Sequence, residues 1–355
     1  ARRRRHETSL MVVAYLVSPP TLMLSLYGPQ RQALCDGISR RDFLRIGSLA
    51  MGGLSLPQLL NAEAQNGTKR GFKSVIMIYL CGAPPHQDMW DLKPDAPAEI
   101  RGEFRPIGTN VAGIQVCELF PKMAAMMDKF SIIRSVVGST GQHAAEQCLT
   151  GRPSVNAPAG GWPSIGAIMS RMQGAGAPGV PAFVGLSPKM GHGPWANPGQ
   201  PGFLGPAHAP FQPHGGGAAD LTLNNISLDR LQDRKALLTS FDNMRRDVDA
   251  SGMMGAMDAF GQKAFDIVAG GRAQEAFDLS QEPQKVRDLY GEHDWAKQTL
   301  LARRLVERGS SFVTIDLSNH GASGTWDNHG DNIPPYGGIW NGLRPLLPVF
   351  DHVIT

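Results

Sequence analysis

The sequence predicts an α/β fold built on a mostly parallel sheet that helices cover on both faces. Two observations carry this. Ser74–Leu80, Ala182–Leu186 and Ser311–Asp316 are short, continuous apolar runs, and unbroken runs of that length are what strands buried on both faces of a parallel sheet look like. Between them lie stretches of helical spacing, so strand and helix alternate along the chain as in parallel α/β folds.

Taken in order, Ser74–Leu80 is the first strand, and Cys81-Gly82 opens a loop at its carboxyl end. Residues 104–116 alternate around Gly108-Thr109-Asn110 and Gly113, the pattern of a surface hairpin. Leu119–Phe130 has helical spacing and Ile132–Val137 is a second β-type run. Gln142–Leu149 and Trp162–Met172 read as helices, followed by the strand Ala182–Leu186. Residues 187–217 are dense in Gly, Pro and His without periodicity. This stretch is expected to be a long ordered loop or lid, since loops of that length in compact domains are usually functional or disordered. Leu228–Leu305 is helical with polar breaks, Ser311–Asp316 is the last strand, and the chain reaches Thr355 inside a further helical pattern.

Ahead of this domain stands Ser39-Arg40-Arg41-Asp42-Phe43-Leu44-Arg45, then an apolar run from Ile46 to Leu60 and Ala62-Glu63-Ala64. Paired arginines, a run shorter than the roughly 20 apolar residues of a membrane span, and a small-x-small exit predict a twin-arginine signal peptide over residues 39–64. The expected partner is the twin-arginine translocase, and the expected location is the periplasm or the cell surface. Residues 1–38, with Arg2–Arg5 and an apolar stretch broken by Pro19-Pro20, are expected not to be native structure. The alternative is a membrane anchor, against which the prolines argue because they break helix hydrogen bonds. The working domain is then 65–355.

Residues 1–64 hold eight arginines and four acidic residues, leaving 26 basic against 27 acidic in the remainder. That balance gives no reason to expect nucleic acid or an anionic membrane as partner. Cys81, Cys117 and Cys148 remain after residue 64. They read as buried apolar fillers, with a single disulfide as the alternative in an oxidising compartment.

Three clusters could carry chemistry. His86-Gln87-Asp88-Met89-Trp90-Asp91 with Lys93-Pro94 follows the first strand, at the strand end where α/β sheets bind ligands. It offers oxygen and nitrogen donors to a divalent metal; taken alone it reads first as a capped loop. Ser139-Thr140-Gly141-Gln142-His143 precedes a helix ending Thr150-Gly151-Arg152. Its hydroxyls suit an anion site or an activated nucleophile as well as a plain N-cap, and Arg152 either clamps an anion or closes the helix. Asp316-Leu317-Ser318-Asn319-His320 with Trp326-Asp327-Asn328-His329-Gly330-Asp331 is the best metal signal of the three, evenly matched by a hydrogen-bonded loop.

Together, the twin-arginine segment, Gly82–Pro94, His143 with Thr150-Gly151-Arg152, and Trp326-Asp327-Asn328-His329 resemble the exported family labelled domain of unknown function 1501, of planctomycete-type bacteria. That family is placed in the alkaline phosphatase/sulfatase-like superfamily. The resemblance implies a three-layer α/β/α sandwich of alkaline phosphatase-like type, holding a sulfate or phosphate ester over one or two divalent metal ions (Zn, Ca or Mg). It implies Asp88, Asp327 and His329 as ligands, with His143 and Arg152 beside the anion. The sulfatase nucleophile position is occupied by Gly141, so Thr140 or Ser139 would have to serve. The late pair is Asp-x-His rather than the Asp-x-x-x-His of alkaline phosphatases, and a further Gly-Arg-Asp-His type motif is expected beyond Thr355. The function expected is a metal-dependent hydrolase of small-molecule or polysaccharide sulfate or phosphate esters, with no stable transmembrane anchor. Its rival is a non-catalytic binding or cell-surface module of the same fold.

Overall fold

A computed structural model describes residues 8–11, 72–138, 145–153, 155–187, 199–213, 221, 227–243, 261–262, 264–318, 325–328 and 338–355. The chain divides into two compact units, residues 1–15 with 74–355, and residues 16–73. Almost all of the second unit, with the twin-arginine segment 39–64, lies outside the described residues.

The strands expected after residue 73 form, and a further one, Thr8–Met11, lies in the upstream stretch. β1 is Thr8–Met11, β2 Val75–Tyr79, β3 Pro106–Gly108, β4 Gln115–Cys117, β5 Ile132–Val136, β6 Phe183–Leu186 and β7 Phe312–Asp316. The principal sheet is parallel, in the order β2-β7-β6, with Tyr79 opposite Asp316 and Leu186 opposite Ile315. β7 pairs on both sides and is buried at all five positions. β2 was expected to be buried on both faces, yet it is only half-buried, with Val75 39% exposed. The reason is position: among the described residues it pairs on one side only. β6 gains a single-residue bridge from Phe211, which donates to the Phe183 carbonyl and whose carbonyl accepts from Gly185.

β3 and β4 make the expected antiparallel hairpin, but Val116 and Cys117 are fully buried, so it belongs to the core and not only to the surface. β5 pairs antiparallel with β1 and not with the parallel sheet.

The helices are α1 Ala98–Arg101, α2 Pro121–Ala125, α3 Glu146–Thr150, α4 Ile165–Met172, α5 Leu228–Asn243, α6 Arg272–Phe277, α7 Gln284–Tyr290, α8 Asp294–Glu307 and α9 Gly338–Ile354. α9 buries Leu343, Leu347 and Phe350 at i, i+4, i+7 spacing, each worth roughly 1.5–3 kcal/mol of burial. Its Pro345 and Pro348 fall on the exposed face, where carbonyls left without an amide partner can reach water. The core centres on a run of rings. Trp90 lies 5.8 Å from Phe120, Phe350 5.6 Å from Trp326, and Trp326 stacks on Trp295 at 5.4 Å. Among the described residues Cys81, Cys117 and Cys148 form no disulfide, and no helix is long and apolar enough to cross a membrane.

Candidate functional site

The three parallel strands run in one direction, so their carboxyl ends share one edge. Asp316 ends the central strand there, opposite Tyr79, and Ser187 directly follows Leu186 on the other flank. Asp316 is 1% exposed; one carboxylate oxygen accepts from Ser318 Oγ at 2.7 Å, and Oδ2 has no partner among the described residues. Burial, only partly opposed by the Ser318 hydrogen bond, pushes its carboxyl up to about 7. Ser187 Oγ is likewise buried and without a partner among the described residues.

Asp327 reaches the same edge from the chain after β7. The turn after β2 has Gly82 at φ +108 and Ala83 at φ +58. A Cβ on Gly82 would lie 2.7 Å from the Asp327 amide nitrogen, so glycine is needed both for the backbone angle and for the close approach. Cys81 sits in this turn, fully buried. Burial first, then the carboxylates of Asp316 and Asp327, push its thiol up to about 12. A thiol held neutral in this way is a poor nucleophile and a poor metal ligand. Burial and the neighbouring Cys81, Cys148 and Asp316 also raise the Tyr79 hydroxyl.

Asp88 has different surroundings. It ends the turn His86–Asp88, is 3% exposed, and its Oδ1 has no partner among the described residues. The Gly102 backbone lies so close to that oxygen that a side chain there would collide with it. Burial and then the Glu103 carboxylate push Asp88 up to about 6. Nearby, Asp91 accepts from Lys93 at 2.7 Å and lies 3.6 Å from His86 Nδ1, so this part of the cluster is an internally paired loop. The neighbours of Asp88 are therefore Gly102, Glu103 and Cys117, whereas Asp327 and Asp316 meet around Cys81.

Arg152 is exposed and lies over the Trp162 ring, 5.2 Å from its centroid. It follows Gly151, the left-handed C-cap of α3, and its backbone N–H bonds Thr150 Oγ1 at 3.1 Å. Helix closure thus accounts for Thr150 and Gly151 and leaves the guanidinium available at the surface. Ser139, Thr140, His143 and His329 lie outside the described residues.

Among the described residues, no three His, Cys, Asp or Glu side chains could hold a metal ion. What the edge does provide is buried oxygen donors, two of them unpaired, and oxygen donors suit a hard divalent cation. The site set predicted from sequence did not include Asp316 or Ser187, although Asp316 stands in the third cluster. The available signal was an acidic residue closing an otherwise apolar strand.

A family described as Protein of unknown function (DUF1501) matches residues 72–351. The chain belongs to that family. The match runs from just before β2 to Asp351 of α9, so it takes in both the Asp88 turn and the Asp316–Asp327 edge. No curated protein and no solved structure matches the chain.

Proposed function

We propose that this family member is an exported, metal-dependent hydrolase of sulfate or phosphate esters, an α/β/α sandwich of the alkaline phosphatase/sulfatase-like superfamily. One observation carries the reading. Asp316 and Asp327 are each buried and each close to Cys81 at the carboxyl edge of a parallel sheet, and Asp316 keeps an oxygen with no partner among the described residues. A buried, unpaired carboxylate is costly, and such groups concentrate at functional sites. Asp327 and Asp316, with His329 from the same loop, are the proposed ligands, and Asp88 is a more distant candidate. A bound divalent ion would neutralise the nonbridging ester oxygens and activate the attacking oxygen. Thr140, or Ser139, in the segment that precedes α3 in sequence, is the proposed nucleophile, with His143 and the exposed Arg152 guanidinium orienting the anion.

The test uses the full chain. It should carry divalent metal by elemental analysis and turn over an aryl sulfate or phosphate. Thr140→Ala should abolish turnover while metal content stays. Wild-type protein without metal and without turnover of either ester would sink the reading. A non-catalytic binding module of the same fold would then be favoured, consistent with Asp88 lying in surroundings of its own.

Export by the twin-arginine translocase to the periplasm or cell surface belongs to the same proposal and rests on Arg40-Arg41 and the apolar run after them. Replacing both arginines with lysine should retain the protein in the cytoplasm on fractionation. Undiminished delivery of the double variant would refute the route.

A further inference from the structure

We infer that Asp351 is a positioning residue for Asp327, acting through the docking of α9. The first turn of α2 leaves backbone amides without helical partners. Phe120 at the N-cap position has no side-chain oxygen to offer them. The cap comes from 228 and 229 residues away: Asp351 Oδ1 accepts from the Met123 amide at 2.8 Å and Oδ2 from the Lys122 amide at 2.9 Å. The next residue completes the latch. His352 Nδ1 lies 2.6 Å from Lys122 Nζ, and its Nε2 lies 2.9 Å from the Tyr290 carbonyl. Because a carbonyl only accepts, Nε2 carries the proton and Nδ1 accepts from the lysine.

These bonds fix the carboxyl-terminal turns of α9 and, with them, Phe350. Its ring contacts Trp90, Phe120 and Trp326 at 5.6–6.0 Å. Trp326 is further held by its indole N–H, which donates to the Leu317 carbonyl at 2.5 Å, and by stacking on Trp295. At the amino-terminal end of the helix, the Gly342 backbone lies directly against the Asn328 side chain, leaving no room for a Cβ. Residues 326 and 328 are thus both held by α9, while Asp327 between them lies against Gly82 at the edge of the sheet. Moving α9 moves Asp327, and the Asp351 carboxylate is what anchors α9 to α2.

The inference rests on the reading of Asp327 as a ligand, and the test separates the two. Asp351→Ala and Asp351→Asn are compared with wild type in the full chain. Glu282→Gln serves as a control: it weakens the pairs with Arg303 and, at 2.6 Å, the buried Arg304, and lowers stability without removing any described contact to α9. The readouts are the near-ultraviolet circular dichroism of the stacked Trp295–Trp326 pair and the affinity for Mg2+, Ca2+ and Zn2+, titrated in turn.

Asp351→Ala should diminish the tryptophan signal and weaken, by about tenfold, whichever cation wild type binds, as loss of an outer-shell support does. Asp351→Asn, which keeps one acceptor, should do so less, and it is the informative variant if alanine prevents folding. Glu282→Gln should melt lower with both readouts unchanged. Asp351 variants that melt lower yet keep the tryptophan signal and the cation affinity would overturn the inference. If wild type binds none of the three cations, the hydrolase reading fails, and the tryptophan signal alone decides the positioning role.

Discussion

Asp351 and Asp316 are buried to the same degree, 2% and 1% exposed, but their surroundings differ. Asp351 has both oxygens bonded to backbone amides, and Lys122 and His352 stand beside it. Burial still raises its carboxyl, with all four groups opposing the rise. Asp316 has one hydrogen bond, from Ser318, and an oxygen with no described partner. A buried polar group left unpaired costs about 1–3 kcal/mol, more if charged. The same contrast recurs elsewhere. Glu282 is held by Arg303 and Arg304, and the Ser164 hydroxyl caps α4, while Ser187 beside Asp316 has no described partner. Satisfied groups hold elements together. Buried atoms without a described partner also occur away from the sheet, as at Trp162, Arg287, Trp295 and Gln298, but Asp316 Oδ2 and Ser187 Oγ are oxygens that share the strand ends, where a ligand would complete them.

The largest expected effect tests that contrast at Asp316. The ordinary carboxyl value is 3.8, and in the fold it rises to about 7. Between those values the folded state keeps a proton that the unfolded state has lost. Stability of metal-free protein therefore falls as pH rises through this window and levels off above it. Asp88, raised to about 6, adds to the fall with the same sign. The rise at Asp316 corresponds to roughly 4 kcal/mol favouring the protonated form, an upper bound on the penalty. Asp316→Asn, isosteric and never charged, should therefore stabilise the chelator-treated protein at pH 8 and flatten the upper part of the pH profile in urea melts. A destabilising Asp316→Asn would mean that the carboxylate is satisfied, and the contrast would collapse. Added cation should erase the advantage of the variant, because only the charged carboxylate gains from it.

Much of the architecture was legible because strands of a parallel sheet announce themselves as unbroken apolar runs, and Val75–Tyr79, Phe183–Leu186 and Phe312–Asp316 all lie within the expected spans. Strand order was not. Nothing local in Phe312–Asp316 says that it lies between partners 237 and 129 residues away, measured from Val75 and Phe183. Without that, Asp316 reads like any acidic strand end. The same blindness hid Asp351, whose partners Lys122 and Met123 are far off in sequence. The family resemblance implies Asp88 and Asp327 in one ligand set, yet the residues that surround them are decided by turns such as Gly82–Ala83 and the Gly102 contact. A linear motif specifies residue types and not the distances between them.

The smallest effect is carried by two serines. Ser164 is 1% exposed; its Oγ accepts from the Ala167 amide at 3.3 Å, an N-cap at the start of α4. Its own backbone amide bonds Gln200 and is untouched by a side-chain change. Ser164→Ala should therefore lose the cap alone, about 1 kcal/mol. Ser187 is 7% exposed with its hydroxyl unpaired. Ser187→Ala removes a desolvated group that bonds nothing, so stability should stay level or rise slightly, since deleting an unsatisfied partner is not a loss. Urea midpoints of the two variants, taken on metal-free protein at one pH, give the comparison directly. If Ser187→Ala costs as much as Ser164→Ala, then Ser187 has a structural partner, and the edge of the sheet is a closed core in which the unpaired Asp316 oxygen no longer points to a ligand.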